Sequence, residues 1–320
     1  MSDMKIIDFM GKRTIAVFFS LALIIVSIGS LATRGLNFGL DFTGGAQIEL
    51  GFQSAIEVDQ MRSILADIGY DDAVVQYFGN NSDILIRLQE DNNPKLGEQI
   101  LSAVQEVRED ASLRRNEYVG PQVGEELANQ GGIGMIIALA LVMAYIAFRF
   151  QLKFAIGAVS ALAHDVIIVL GFFSVTQITF DLTVLAAVLA VIGYSLNDTI
   201  VVADRIRESF RIVRRDDVSY LINLSLTQTL GRTLITSITT LLVLAALGIF
   251  GGEMIFGFSI ALIVGVGIGT YSSIYVAASI LMLLKVSKED LIPKEREQLD
   301  QDEIPSWLKD EEGDLENEKK

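Results

Sequence analysis

The sequence predicts a multi-pass α-helical membrane protein, with six transmembrane helices and one small folded domain inserted after the first helix. Two observations predict this class. The 320-residue chain is 51% hydrophobic and only 20% charged. Six of its stretches also reach or approach the length of about 20 apolar residues that crosses a bilayer. The acidic residues are concentrated in the insert and at the C-terminal end, so the remaining chain is nearly uncharged.

The composition excludes several functions. The chain has 40 acidic and 25 basic residues, a net charge of −15, whereas a nucleic-acid-binding protein needs a basic face. It has no cysteine and one histidine, which excludes thiolate sites, cysteine catalysis and multi-histidine metal sites. We therefore expect no bound metal, no bound cofactor and no nucleic-acid partner.

Basic residues orient the six spans. Lys and Arg precede the first span, lie between the second and third, and follow the fourth and sixth, whereas loops 176–181 and 251–254 have none. Because Lys and Arg favour cytoplasmic loops, both termini are predicted in the cytoplasm and residues 34–130 outside it. The predicted segments are a cytoplasmic N-terminus (1–13), the first span (14–33), spans two to six within 131–285 (131–148, 154–175, 182–203, 229–250 and 255–284), a cytoplasmic amphipathic connector (204–224) and an acidic, disordered cytoplasmic tail (286–320).

The first span has an alternative interpretation as a cleavable secretory signal. Lys12 and Arg13 precede an apolar run that ends in a sequence of small residues, Ser30-Leu31-Ala32, and this order is typical of such signals. The apolar run is longer than a usual signal core, however, and cleavage would leave an odd number of spans. The uncleaved span is therefore favoured.

The insert between the first two spans alternates between strand and helix patterns. Apolar residues recur at helical spacing in two segments, and short β-rich runs bounded by turn residues flank them. The order β-α-β-β-α-β is the ferredoxin-like split motif. No catalytic constellation is visible in this domain, and a polypeptide-binding sheet edge is left open. The predicted elements are strands 46–52, 73–78, 83–88 and 114–119 and helices 56–69 and 96–107.

Polar residues inside the fourth and fifth spans are the strongest candidates for function, because such residues are costly in a bilayer and normally do work there. A carboxylate beside a movable arginine can take up and release a proton. The alternatives are a static ion pair between Asp198 and Arg232, or hydroxyls that only bond back to their own helix. The candidate relay residues are Asn197 and Asp198 in the fourth span and Arg232, Thr233, Thr236 and Thr240 in the fifth, with Thr229 on the same helical stripe.

A second polar pair, His164 and Asp165, lies near the middle of the third span. It is a further relay candidate, although a satisfied polar contact between helices explains it equally well. An intramembrane aspartyl protease using Asp165 and Asp198 is a less favoured hypothesis. Such proteases have Gly-x-Gly-Asp at the second acid, and here the residues before Asp198 are Ser195-Leu196-Asn197.

Five sequence blocks resemble the SecF family of protein-export membrane subunits, and the resemblance covers essentially residues 1–285. Any one block alone is a weak signal, but all five occur in the expected order and topological positions. They are FGLDFTGG (38–45), VGPQVG (119–124), AHD (163–165), IGYSLNDTIVVADRIRE (192–208) and SLTQTLGRTLITSITTLL (225–242).

The resemblance implies a function that composition does not. It implies an RND-like half-transporter in the cell inner membrane whose other half is SecD, with YajC in the same assembly. SecYEG and SecA are implied as indirect partners and an unfolded preprotein as the substrate. Protons would be the coupling ion, and no enzymatic activity is implied. Small-molecule efflux by the same superfamily is the alternative.

The resemblance also assigns residues. The family's proton-pathway Asp, Arg and Thr fall on Asp198, Arg232 and Thr236. With only one set of six spans, the chain is an unfused subunit, so proton transport by this chain alone is not expected. The roots that join the outer domain to the spans, with a structural role, would be Asp41, Gly44, Gly45, Gly120 and Pro121. A functional acid is the alternative for Asp41.

Overall fold

The computed structural model of the chain describes residues 5–88, 93, 95–213, 217–287 and 290, without the side chains of residues 253 and 254. Apart from residues 286, 287 and 290, the predicted acidic tail lies outside the described residues.

Among the described residues, six helices are long and apolar enough to cross a membrane. The first of them, Arg13–Arg34, follows a short 3₁₀ turn. The fifth, Val218–Phe250, begins with a side-chain cap, in which Asp217 accepts hydrogen bonds from the backbone N–H groups of Ser219 and Tyr220. The long helices are α1 (Arg13–Arg34), α5 (Pro121–Arg149), α6 (Leu152–Thr176), α7 (Leu182–Ile212), α8 (Val218–Phe250) and α9 (Glu253–Leu283).

These helices extend beyond the apolar runs that predicted them. Helix α5 begins at residue 121 rather than 131, and α7 continues to residue 212. The segment 204–224, predicted as a separate connector, therefore consists mainly of the end of α7 and the start of α8. The reason is that hydropathy marks the part of a helix that suits lipid, whereas capping and hydrogen bonding decide where the helix ends.

The outer domain is a four-stranded antiparallel sheet with two helices, in the predicted β-α-β-β-α-β order. The strand order is β2 (Val74–Phe78), β3 (Asn80–Leu88), β1 (Gly45–Gly51), β4 (Ser112–Val119), which places β1 and β3 in the centre. The helices pack on the face that carries Ile48, Leu50, Ile84 and Ile86, all of them fully buried. The ferredoxin-like fold is thus confirmed. Its elements are β1 (Gly45–Gly51), α3 (Val58–Asp67), β2 (Val74–Phe78), β3 (Asn80–Leu88), α4 (Leu96–Val107) and β4 (Ser112–Val119), preceded by the short helix α2 (Leu40–Thr43).

The membrane helices divide into a packed group and an open group. In the apolar 18-residue stretch of α6 and in that of α7, 56% of the residues are buried by the rest of the protein. The corresponding share is 17% in α8 and 6% in α5. Helix α9 packs against α6, α7 and α8, and α1 packs against α6. The faces of α5 and α8 that point away from α6, α7 and α9 carry exposed apolar side chains that none of the described residues covers.

Candidate functional site

Asp198 is a buried carboxylate on the packed helix α7. It is 4% exposed, and its Oδ2 atom has no hydrogen-bond partner among the described residues. A buried oxygen without a partner is unusual, since burying a polar atom unpaired costs about 1–3 kcal/mol. Asp198 is therefore positioned to gain a proton, a water molecule or a cation-bearing partner.

Arg232 on α8 is exposed at the surface of the chain. Its positive charge attracts the negative charge of the Asp198 carboxylate. Among the described residues, however, no ion pair or hydrogen bond joins the two side chains. A static Asp198–Arg232 ion pair is thus absent from this structure. The arginine lies on the face of α8 that the described residues leave uncovered.

The hydroxyls of the α8 stripe mostly bond back to their own helix. Thr229, Thr236 and Thr240 donate to backbone carbonyls three or four residues earlier, at distances between 2.8 and 3.3 Å. Thr233 differs, because it is 1% exposed and its Oγ1 atom has no partner among the described residues. Among the threonines of this stripe, Thr233 therefore has the buried hydroxyl left free for another ligand.

Two polar residues next to Asp198 have contrasting positions. Asn197 faces outward and is exposed, so it is not on the buried side with Asp198. Tyr194, one turn earlier on α7, has a buried hydroxyl without a partner among the described residues. Asp198 Oδ2 and the hydroxyls of Thr233 and Tyr194 are thus buried polar atoms on the neighbouring helices α7 and α8 that have no partner in the described part of the chain.

The His164–Asp165 pair forms a different kind of site, in which the contacts are made. Asp165 is 0% exposed. Its Oδ1 atom lies 2.8 Å from His164 Nδ1, and its Oδ2 atom accepts hydrogen bonds from the hydroxyls of Ser195 on α7 and Ser272 on α9. His164 Nε2 lies 3.1 Å from Ser20 Oγ on α1. The pair therefore joins four helices.

Sequence reasoning missed Ser20 and Ser272 as members of this cluster, and also Tyr271, whose hydroxyl lies 3.0 Å from Ser20 Oγ. Their signal was present, since each is a polar residue within an apolar span. The sequence does not state which of many hydroxyls share a depth and a facing direction, because that depends on how α1, α6 and α9 rotate against one another.

The predicted roots of the outer domain lie where that domain meets α5 and α7. Asp41 Oδ2 accepts a hydrogen bond from the backbone N–H of Leu182 at 3.1 Å, in the first turn of α7. Gly44 has φ +65°, and a Cβ atom there would lie 2.8 Å from Pro121 Cα. Gly45 also has a positive φ, 107°, and Gly120 is the N-cap residue of α5, which Pro121 opens.

Arg87 makes a second connection between the outer sheet and the membrane helices. Its guanidinium donates to Phe38 O at 3.1 Å and to the Thr179 hydroxyl in the loop between α6 and α7. Burial lowers the pKa of the Arg87 guanidinium below its ordinary value, and the negative charge of Asp181 offsets only part of this effect. The backbone of the same loop pairs with the root, since Phe180 N–H donates to Asn37 O at 2.8 Å.

A cavity of about 330 Å³ opens beside this junction. Its walls are apolar and include Phe42, Met135, Phe180 and Leu185. None of the described side chains that line it is titratable, so the cavity is separate from the polar site.

The fold and the buried polar residues define a multi-pass membrane protein with one α/β domain outside the bilayer. Two family models match the chain: "Protein export membrane protein SecD/SecF, C-terminal" over residues 99–287 and "SecD/SecF GG Motif" over residues 29–56. The chain therefore belongs to the SecF family of protein-export membrane proteins.

Curated relatives agree over nearly their full length. The protein translocase subunit SecF of Pseudomonas aeruginosa is 54% identical over 289 residues, which are 90% of this chain and 94% of the relative. That of Escherichia coli O157:H7 is 45% identical over 307 residues, covering 94% of this chain and 95% of the relative.

Solved structures show the same fold. The crystal structure of SecDF from Thermus thermophilus, a translocon-associated membrane protein, is 35% identical with a TM-score of 0.81. A super-membrane-facing form of SecDF gives a TM-score of 0.66. In both cases the similarity covers 88% of this chain but only 39% of the SecDF chain. This chain thus corresponds to less than half of the SecDF polypeptide.

Proposed function

We propose that this chain uses the proton motive force to drive late steps of preprotein translocation and release, together with a SecD partner. Asp198 is the proton-binding carboxylate and Arg232 its counter-charge. The observation that carries the proposal is the buried, unpartnered Oδ2 atom of Asp198 close to the charge of an exposed arginine. A proton moved across 100 mV supplies about 2.3 kcal/mol, so a few protons per cycle are sufficient to bias a conformational change.

The SecD partner supplies the second set of membrane helices. The similarity covers only 39% of the SecDF chain, and α8 leaves Arg232 and an apolar face uncovered. A second six-helix half that packs there would cover both and close a water-accessible path around Asp198. Polar residues in a bilayer normally face such an interior. As the family resemblance implies, the assembly lies in the inner membrane, includes YajC, cooperates indirectly with SecYEG and SecA, and acts on an unfolded preprotein.

The outer domain is the part that acts on the exported chain. Lys and Arg residues cluster at the ends of the spans that are opposite to the outer domain. Because such residues favour the cytoplasmic side, the domain lies on the periplasmic side and both termini lie in the cytoplasm. The Asp41–Leu182 hydrogen bond connects this domain to α7. Because α7 is one continuous helix, a displacement at Asp198 reaches the root without an intervening loop.

The decisive experiment replaces Asp198 with Asn in inner-membrane vesicles that contain the SecD partner. ATP-driven early translocation should continue, whereas stimulation by the proton gradient should be lost. Asp204→Asn is the matched control, because Asp204 is a partly exposed carboxylate on the same helix, paired with Arg149 and Arg207. If Asp198→Asn leaves the gradient dependence of export unchanged, Asp198 does not couple protons to export.

A further inference from the structure

The hydrogen bonds around His164 continue beyond its immediate neighbours. Ser20 Oγ lies 3.0 Å from the Tyr271 hydroxyl, which in turn donates to Ala16 O at 2.7 Å. The chain of contacts thus runs from Asp165 through His164 and Ser20 to Tyr271. It connects α6 to α1 and then to α9.

The number of protons in this cluster follows from its contacts. Each hydrogen bond uses one proton, and a hydroxyl has one to donate. Ser272 also lies 3.1 Å from Gly269 O on its own helix, so its proton is assigned to the shorter contact, with Asp165. Six contacts then need a proton: Ser195–Asp165, Ser272–Asp165, Asp165–His164, His164–Ser20, Ser20–Tyr271 and Tyr271–Ala16 O.

The ordinary charge states do not supply enough protons. A neutral imidazole with an ionised carboxylate has one proton on the ring, and the four hydroxyls add one each. One of the six contacts is then left without a proton. If the pair holds one additional proton, every contact is satisfied: Nε2–H donates to Ser20, Ser20 donates to Tyr271, and Tyr271 donates to Ala16 O.

We propose that His164 and Asp165 form a resident proton-binding site, distinct from Asp198. The additional proton lies between His164 Nδ1 and Asp165 Oδ1. Whether it is bonded to the nitrogen or to the oxygen, His164 Nε2 is also protonated. The pair is then neutral overall, which suits full burial, since an uncompensated charge among apolar helices is costly. This inference is independent of the proposed function, because it follows from hydrogen-bond counting alone.

Loss of this proton would have a structural consequence. It would leave a net negative charge on the pair and one contact of the α6–α1–α9 chain without a proton. The titratable group that contacts the cluster from a packed helix is Tyr271 on α9, whose ring centre lies 5.5 Å from that of Tyr275. Proton occupancy of the pair is therefore linked to how α1 and α9 are held together.

Nuclear magnetic resonance of the full chain in lipid nanodiscs tests the proposal at neutral pH. His164 is the single histidine, so both ring signals from ¹⁵N-labelled histidine belong to it, and the ring-proton couplings distinguish Nε2 from Nδ1. We expect a protonated Nε2. We also expect either a protonated Nδ1 or an infrared band of a protonated carboxyl that disappears in Asp165→Asn. A bare Nε2, or a protonated Nε2 with neither of the other signals, would overturn it.

A matched pair of serines on α1 gives the control. Ser20→Ala removes the acceptor of the Nε2 proton, so it should shift the Nε2 signal. Ser30→Ala removes a hydroxyl of the same helix that bonds to Ser174 at 2.8 Å, and it should leave the ring signals unchanged. Equal effects of the two substitutions would mean that Ser20 does not contact the ring, and the proton count would fail.

Discussion

The carboxylate of Asp41 and the backbone N–H of Leu182 are hydrogen-bonded at 3.1 Å, although they lie 141 residues apart in the chain. This bond joins the root of the outer domain to the first turn of α7. Asp198 lies on the same helix, and a rise of 1.5 Å per residue places it about 24 Å further along the axis. The outer domain and the buried carboxylate thus share one rigid element.

Replacing Asp41 with Ala should destabilise this junction. Asp41 satisfies a free N–H group at a helix start, and losing such a bond costs about 0.5–2 kcal/mol. We expect a lower thermal unfolding midpoint of the purified chain in detergent. Asp71→Ala is the control, because Asp71 is an exposed acid of the same domain. A midpoint that is equal in both variants would argue against a stabilising role for the bond.

Replacing Arg87 with Ala should loosen the outer domain from the loop between α6 and α7. The lost bonds to Phe38 O and Thr179 involve a charged donor, so amide exchange at Phe180 should accelerate roughly tenfold or more. Hydrogen–deuterium exchange of the full chain measures this. Arg62→Ala serves as comparison, since Arg62 is an exposed arginine of the same domain, paired with Asp59. Unchanged exchange at Phe180 in Arg87→Ala would mean that the guanidinium does not hold the loop.

Replacing Gly44 with Ala should strain the root. The φ of +65° disfavours any side chain, and the new Cβ atom would meet the Pro121 backbone at 2.8 Å. We expect a loss of stability on the order of 1–3 kcal/mol, measured by denaturant unfolding. Gly134→Ala in α5 meets no atom within 4 Å, so it should be neutral or stabilising. Equal stability of Gly44→Ala and the native chain would show that the backbone can move apart there.

Asp110 should titrate at unusually low pH. Hydrogen bonding to Arg108 lowers the pKa of Asp110 to about 2, below the usual value of about 3.9. Because the folded value lies below the unfolded one, the pair stabilises the fold above about pH 4 and its contribution is lost as the pH falls towards 2. A ¹³C titration of the Asp110 carboxyl measures this. In Arg108→Gln its pKa should rise towards the usual value; an ordinary pKa in the native chain would contradict the prediction.

Replacing Thr233 with Val should lower gradient-driven export without lowering the stability of the protein, whereas replacing Thr239 with Val should leave export unchanged. Thr233→Val replaces a buried hydroxyl that has no partner among the described residues, so stability should stay equal or rise. If the hydroxyl serves proton transfer at Asp198, gradient-driven export should nevertheless fall. Thr239→Val, whose hydroxyl bonds back to Ile235 O at 2.8 Å, should leave export unchanged. Full export by Thr233→Val would remove Thr233 from the proposed pathway.

Several features were predictable because they depend on local sequence. Apolar run length predicted six membrane helices, and alternating periodicity predicted the ferredoxin-like domain, whose strand β3 begins at residue 80 rather than 83. Polar residues in apolar spans identified Asp198, Arg232 and Asp165 as candidates. Each of these signals lies within a single helix or strand, so it can be recognised from the local sequence.

The tertiary structure alone decided which polar atoms meet. Asp165 has hydroxyl partners from α7 and α9, whereas Asp198 Oδ2 has none among the described residues. Thr236 bonds to its own helix and Thr233 does not, although both lie on the same predicted stripe. The physical reason is that helix rotation and depth are determined by packing among distant segments. A residue's partners therefore follow from the whole helix group, while its span follows from its neighbours in sequence.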